Sequence, residues 1–185
     1  IPAFARADPT DMRRDLSSPR YHEEADKYSA TITMGSDVTP VYAWFNGDTR
    51  LMRMGDEVEL NDDGTVTIMA PQGDRKDKTA KIHAFKLHEG VLPLMKDKKW
   101  LIPIAVDEFF IDGDIDKAVA EGAAAAYGIH HPEYTWIESR RYMGIFHQVQ
   151  PADQALECLD CHREGGRMNW KELGYKKDPL LDAMD

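Results

Sequence analysis

Cys158-Leu159-Asp160-Cys161-His162 decides how this chain is read, and its two cysteines are the only ones in 185 residues. Cys-x-x-Cys-His is the attachment pentad of c-type haem. On a helix, positions i and i+3 share a face, so both sulfurs can form thioethers to the two vinyl groups of one porphyrin. The histidine at i+4 follows on that face and can offer a ring nitrogen to iron. The pentad therefore points to one covalently bound haem c, held by Cys158 and Cys161 with His162 as proximal ligand.

Three other chemistries use similar residues. A thioredoxin-like dithiol wants Cys-x-x-Cys at the start of a helix, where the helix N-terminus lowers a thiol pKa. Here the pattern places the pentad at the end of a helical stretch. Zinc wants four ligands, typically two separated pairs, and no second cysteine pair exists, although Cys158, Cys161 and a distant histidine would make part of a site. A disulfide across a two-residue gap closes a very small loop and stabilises little.

A length of 185 residues suits one domain with a real core. It exceeds the roughly 100 residues that a minimal haem-wrapping module needs, so the remaining chain must form something else. Thirty-three acidic residues against 23 basic ones give a net charge of −10, to which haem propionates would add. Without a basic stripe, nucleic acid is disfavoured. A redox partner with a basic docking patch is favoured instead, a multihaem cytochrome or a quinol-oxidising membrane complex, its encounter steered electrostatically. No apolar run approaches the ~18 residues of a membrane-spanning helix. Haem is coupled to this pentad outside the cytoplasm, which predicts a periplasmic, exported protein. Residues 1–7 lack a charged n-region and an apolar stretch, so the signal peptide is expected to have been removed already. Ala5-Arg6-Ala7 before Asp8 faintly echoes a cleavage site.

The fold class predicted is α+β, a β-hairpin-rich N-terminal and middle region followed by a helical, haem-bearing C-terminal region. Residues 1–30, punctuated by Pro2, Pro9 and Pro19, read as an arm with at most a short helix. Residues 31–185 read as a single monohaem cytochrome c domain, with a β-rich part over 31–110 and a helical part over 111–185. Val41-Tyr42-Ala43-Trp44-Phe45, then Asn46-Gly47, then residues 49–54 predict a type I′ hairpin. Residues 57–60 and 65–69 alternate about a turn at 61–64 and predict a second hairpin. Residues 81–87 and 100–106 read as further strands, the latter demoted to an edge or bend by Pro103. Asp114 and Gly128 bracket a helix over 115–127 whose small-residue face, with Ala118, Gly122 and Ala123, can approach another helix or a haem edge. A second helix is predicted over 151–163, opened by Pro151 and ended by Gly165-Gly166.

The second axial position sets the function. Besides His162 the chain has His22, His83, His88, His130, His131 and His147. His147 lies just before the haem helix, with enough chain between it and Cys158 to curl to the distal face. His88, followed by Glu89-Gly90, is the second candidate. His22, His130 and His131 read as surface side chains. Among nine methionines, Met143 and Met168 lie nearest the pentad, although methionine is more often a core filler than a ligand.

The C-terminal third, His147-x-x-x-Pro151-x-x-Gln154-Ala155-Leu156-x-Cys158-x-x-Cys161-His162 with Gly166-Arg167-Met168-Asn169-Trp170 and Leu173-Gly174-Tyr175, resembles the last haem segment of octahaem tetrathionate reductase-type multihaem cytochromes. Residues 40–47 and 81–90 look like segments of the same family, and the resemblance covers about residues 38–178. It departs in haem count, since that family carries several haems and this chain has one pentad. The resemblance implies a periplasmic role in sulfur- or nitrogen-compound respiration with bis-histidine haems. The distal ligand it implies is the histidine matching His147 first and that matching His88 second. Where haems lie close together, such a histidine can also serve a haem in another subunit.

The resulting expectation is a monohaem, bis-histidine cytochrome that carries single electrons. The alternatives are a haem enzyme with an open distal site acting on a small sulfur or nitrogen compound, and a haem-bearing docking subunit of a larger multihaem complex. One haem offers no internal store for multi-electron chemistry, so a carrier is favoured over a catalyst.

Overall fold

The computed structural model describes residues 2–3, 33–34, 38–147 and 150–184. The arm predicted over 1–30, the Ala5-Arg6-Ala7 stretch and His22 lie outside them, apart from β1 (Pro2–Ala3), which pairs antiparallel with β2 (Thr33–Met34). The remaining elements are β3 (Val41–Phe45), β4 (Thr49–Leu51), β5 (Val66–Pro71), β6 (Lys81–Met95), α1 (Val106–Asp112), α2 (Ile115–Tyr127), β7 (Tyr134–Gly144), a 3-10 turn (Ala152–Gln154), α3 (Cys158–Cys161) and α4 (Pro179–Asp182). The class is α+β, as the sequence predicts. One five-stranded sheet runs in the order β3-β6-β7-β5-β4.

The strands are where the sequence reading needs correction. Asn46-Gly47 does not close a hairpin, because β3 pairs with β6 and β4 pairs with β5, at opposite edges of the strand order. Asn46 is used otherwise. Its N–H donates to the Gln72 carbonyl at 2.8 Å, its Nδ2 to Asp77 at 3.0 Å, and its Oδ1 accepts from the Asp48 N–H at 3.0 Å. The link from Phe45 to Thr49 spans at most ~14 Å, whereas four strand spacings of a flat sheet are ~19 Å. The sheet must therefore curl. In the second predicted hairpin the turn is present, with Asn61 N–H donating to the Thr65 carbonyl at 2.8 Å, but residues 57–60 contribute only isolated bridges. Beyond bridges at Trp100 and Leu101, residues 102–105 form no strand, although the Ile102 N–H donates to the Pro93 carbonyl at 2.8 Å and the Ala105 N–H to the Ala118 carbonyl at 3.1 Å, and α1 follows. Pro103 has no N–H to donate to a ladder.

The chain forms two compact units. The first comprises 52–68 and 88–141 together with the N-terminal strands. Its core is Met95, Ile102, Val119 and Ala123, flanked by Ile104, Ile115, Tyr127, Ile129, Tyr134 and Trp136. Helix α2 has the predicted bounds and caps: the Asp114 side chain accepts from the Lys117 N–H, and Gly128 closes the helix in the left-handed conformation. At Gly122 its small-residue face lies against the backbone of Pro103 and Ala105. A Cβ on Gly122 would sit 1.7 Å from the Pro103 carbonyl oxygen, so only glycine permits the approach.

The second unit comprises 37–51, 69–87 and 142–185, and it holds the pentad. On β6, His83 and Phe85 join Phe45 of β3 and Phe146 in an aromatic group, with His83 stacked on Phe146 at 4.8 Å and 26°. Tyr42, Trp44 and Lys86 point to the other face, as strand alternation requires.

Candidate functional site

Around the pentad, local chemistry differs from a single helix over 151–163. After the 3-10 turn the chain is extended at Ala155 and Glu157, and α3 starts afresh at Cys158. A reciprocal capping box starts it: the Glu157 side chain accepts from the backbone N–H of Asp160, and the Asp160 side chain accepts from the Glu157 N–H at 2.8 Å. Cys158 therefore opens a helical turn instead of closing a long helix, which removes position as an argument against a dithiol. The thiols are unpaired, Cys158 exposed and Cys161 half-buried. Leu156 and Leu159 beside them are exposed, at 51% and 63%. Past the pentad the chain turns tightly: the Arg167 N–H donates to the Asp160 carbonyl at 3.0 Å, and a Cβ on Gly166 would lie 2.7 Å from the Cys161 oxygen.

His162 caps α3, and its Nδ1 sits 2.7 Å from Oδ1 of Asp178. That carboxylate is buried, and the same oxygen accepts the Leu180 N–H at 2.9 Å, capping α4. Burial pushes the Asp178 carboxyl up, but the hydrogen bonds from His162 and from the backbone N–H groups of Leu180 and Leu181 together hold it below the usual carboxylate value. Trp170 stacks on the imidazole at 4.8 Å and 20°. Nδ1 is therefore engaged as the N–H donor, which leaves Nε2 as the coordinating atom. Among the described residues, two buried polar atoms beside this ring, Asp178 Oδ2 and Trp170 Nε1, have no hydrogen-bond partner. Two thiols on one turn, an imidazole fixed with Nε2 available and apolar side chains exposed alongside make a donor set that fits haem c.

The other histidines separate by position. His147 belongs to the same unit as the pentad, with Nε2 3.5 Å from Lys86 Nζ, at the outer edge of hydrogen-bond range. Lys86 shares its face of the sheet with Tyr42, whose hydroxyl accepts from Arg167, and with Trp44, whose Nε1 donates to the Leu173 carbonyl. His147 thus lies on the face that carries the segment after the pentad. His83 lies on the opposite face, stacked on Phe146. His88 belongs to the other unit, where its Nδ1 is 3.3 Å from Arg141. His130 and His131 are exposed. Met143 is exposed at the end of β7, and Met168 is half-buried in the loop after the pentad. Sequence reasoning missed Asp178 and Trp170; a buried acid and an aromatic 16 and eight residues beyond a ligand follow no periodicity.

A family model described as "Cytochrome c bacterial" matches residues 8–165. The crystal structure of octahaem cytochrome c from Shewanella oneidensis matches with a TM-score of 0.72 and 28% sequence identity. That match covers 100% of this chain and 43% of the octahaem chain, so this chain spans less than half of its relative's length. No curated protein matches.

Proposed function

We propose that this chain, which belongs to the bacterial cytochrome c family, is a haem electron-transfer protein that carries one covalently attached haem c, on Cys158 and Cys161, and exchanges single electrons through it. The observation that carries the reading is His162, which follows the two unpaired cysteines and has Nδ1 bound to Asp178 and Nε2 left to coordinate. Haem c supplies a one-electron couple at its iron. The chain's own groups hold it: the cysteines by thioethers, His162 by Nε2, and Trp170 by restraining the imidazole plane.

For the second axial ligand we propose His147, ahead of His88, on the strength of its place on the pentad's side of the sheet. Two imidazoles give a lower potential than an imidazole and a thioether. We further propose a periplasmic location, a link to sulfur- or nitrogen-compound respiration, and a redox partner with a basic docking patch, a multihaem cytochrome or a quinol-oxidising membrane complex. Among the described residues no helix is long and apolar enough to cross a membrane.

Intact mass after denaturation and acid–acetone extraction tests the central claim. The chain should retain the mass of one haem, and Cys158→Ala with Cys161→Ala should abolish that retention. A wild-type chain at the apo mass would overturn it.

A further inference from the structure

We propose that Asp178 is a positioning residue for the haem iron: its buried carboxylate holds the His162 ring with Nε2 presented as ligand and lowers the reduction potential of the couple. The inference rests on the reading of the pentad as a haem site. Four observations carry it.

The His162 Nδ1 to Asp178 Oδ1 separation of 2.7 Å lies in the range of charge-assisted hydrogen bonds, which are about twice as strong as neutral ones. Asp178 is 7% exposed, so little solvent intervenes to screen the interaction. The carboxylate is placed independently of the histidine, because it caps α4 through the Leu180 N–H at 2.9 Å and is followed by Pro179 in the first turn. Trp170 fixes the plane of the imidazole from its face, and Asp178 fixes its rotation from its edge. Removing one electron from a ferrous centre leaves one more positive charge. A buried anion hydrogen-bonded to the ligand stabilises that ferric charge, and the electron goes to the redox partner with no proton lost. A carboxylate on the outer nitrogen also makes a histidine ligand more basic.

Asp178→Asn separates this role from a structural one, since asparagine still caps a helix but carries no charge. In the haem-loaded protein, the ratio of reduced to oxidised haem at a fixed ambient potential should rise about tenfold, an upward shift of about 59 mV for a one-electron couple. The near-infrared charge-transfer band of the ferric haem should move to longer wavelength as the ligand loses imidazolate character. Asp178→Ser should do the same, and Asp178→Glu should restore most of both signals. Haem lost from the Asn and Ser variants but kept in the Glu variant would support the positioning role directly.

Haem-loaded Asn or Ser variants with unchanged potential and unchanged band would overturn the proposal while leaving the haem reading intact. Loss of haem from all three variants would overturn it too, by showing that the site tolerates no change rather than requiring a carboxylate. A wild-type chain at the apo mass would remove the haem reading, and this proposal with it.

Discussion

Trp44 Nε1 donates to the carbonyl of Leu173 at 3.0 Å, joining β3 to the segment just after the pentad across 129 residues of chain. Leu173 itself is buried, at 2% exposure. The segment holding Trp170 against His162 is therefore anchored on the sheet, not only by its neighbours in sequence. Trp44→Phe keeps most of the ring and deletes the donor. It should lower unfolding stability by about 1 kcal/mol, the usual net value of one hydrogen bond plus a share for the orphaned carbonyl. Urea unfolding of the holo-protein measures this, and an unchanged midpoint would show that water replaces the bond at no cost.

Gly122 faces the Pro103 carbonyl so closely that a methyl group cannot fit. Although alanine is the better helix former by about 1 kcal/mol, Gly122→Ala should destabilise the first unit by about 1–3 kcal/mol or more through overpacking. Ala120→Gly, on the same helix, is the control. It should cost only the propensity term, and a Gly122→Ala variant as stable as wild type would mean that the 102–105 segment yields easily.

These two sites show what the sequence made legible and what it hid. Helix α2 was readable to the residue because Asp114, the Ala118-Val119-Gly122-Ala123 face and Gly128 act within the helix itself. The pentad was readable because its spacing is its chemistry. Asn46-Gly47 misled because turn chemistry is local and strand pairing is not: β3 finds β6, about 40 residues on. Strand β7 was missed because Glu138, Arg140 and Arg141 interrupt its apolar pattern, and Arg140 is accommodated by Asp63 at 2.7 Å and Glu89 at 3.3 Å, partners distant in sequence. Helix α1 has no side-chain cap to announce it, and Glu157, the cap of α3, is not among the preferred cap residues.

Acid sensitivity should report on Asp63. Hydrogen bonds from the Thr65 hydroxyl and N–H, aided by Arg140, hold its carboxyl below its ordinary value of 3.8. A carboxyl whose pKa is depressed on folding contributes stability that is complete above its unfolded value and is lost as the pH falls through its folded one. The contribution should therefore be intact at neutral pH and decline below about pH 4. Asp63→Asn should flatten that part of the stability-against-pH curve and leave the slope above pH 5 unchanged. Equal slopes below pH 4 in both proteins would assign the acid limb to other carboxylates.

His147→Ala should convert the ferric spectrum from low spin to high spin and open the iron to cyanide or imidazole. The Lys86 ammonium stands 3.5 Å from Nε2 of His147, so Lys86→Met should leave the low-spin spectrum in place once that nitrogen is committed to iron. If His147→Ala leaves the spectrum unchanged and His88→Ala alters it, the distal role passes to His88. If neither does, Met143, Met168 or a partner's side chain takes the position.

The last prediction concerns docking. A net charge of −10 should steer encounter with a redox partner through that partner's basic residues. Asp153, Glu157 and Asp160 stand beside the pentad, but two of them are already engaged: Glu157 and Asp160 cap α3 through each other's backbone. Lysine at either position would therefore perturb the haem turn as well as the charge, and could not be read as an effect on docking. Exposed Asp153 and Glu164 take no part in the capping box. Because the screening length is about 10 Å at 0.1 M salt, the second-order rate with a cationic acceptor should fall severalfold from low to moderate salt. The double variant Asp153→Lys, Glu164→Lys should lower the low-salt rate and make the salt dependence shallower, with the haem spectrum unchanged. A rate flat with ionic strength and indifferent to both substitutions would mean docking through apolar contact, which exposed Leu156 and Leu159, close to the cysteines in sequence, can provide.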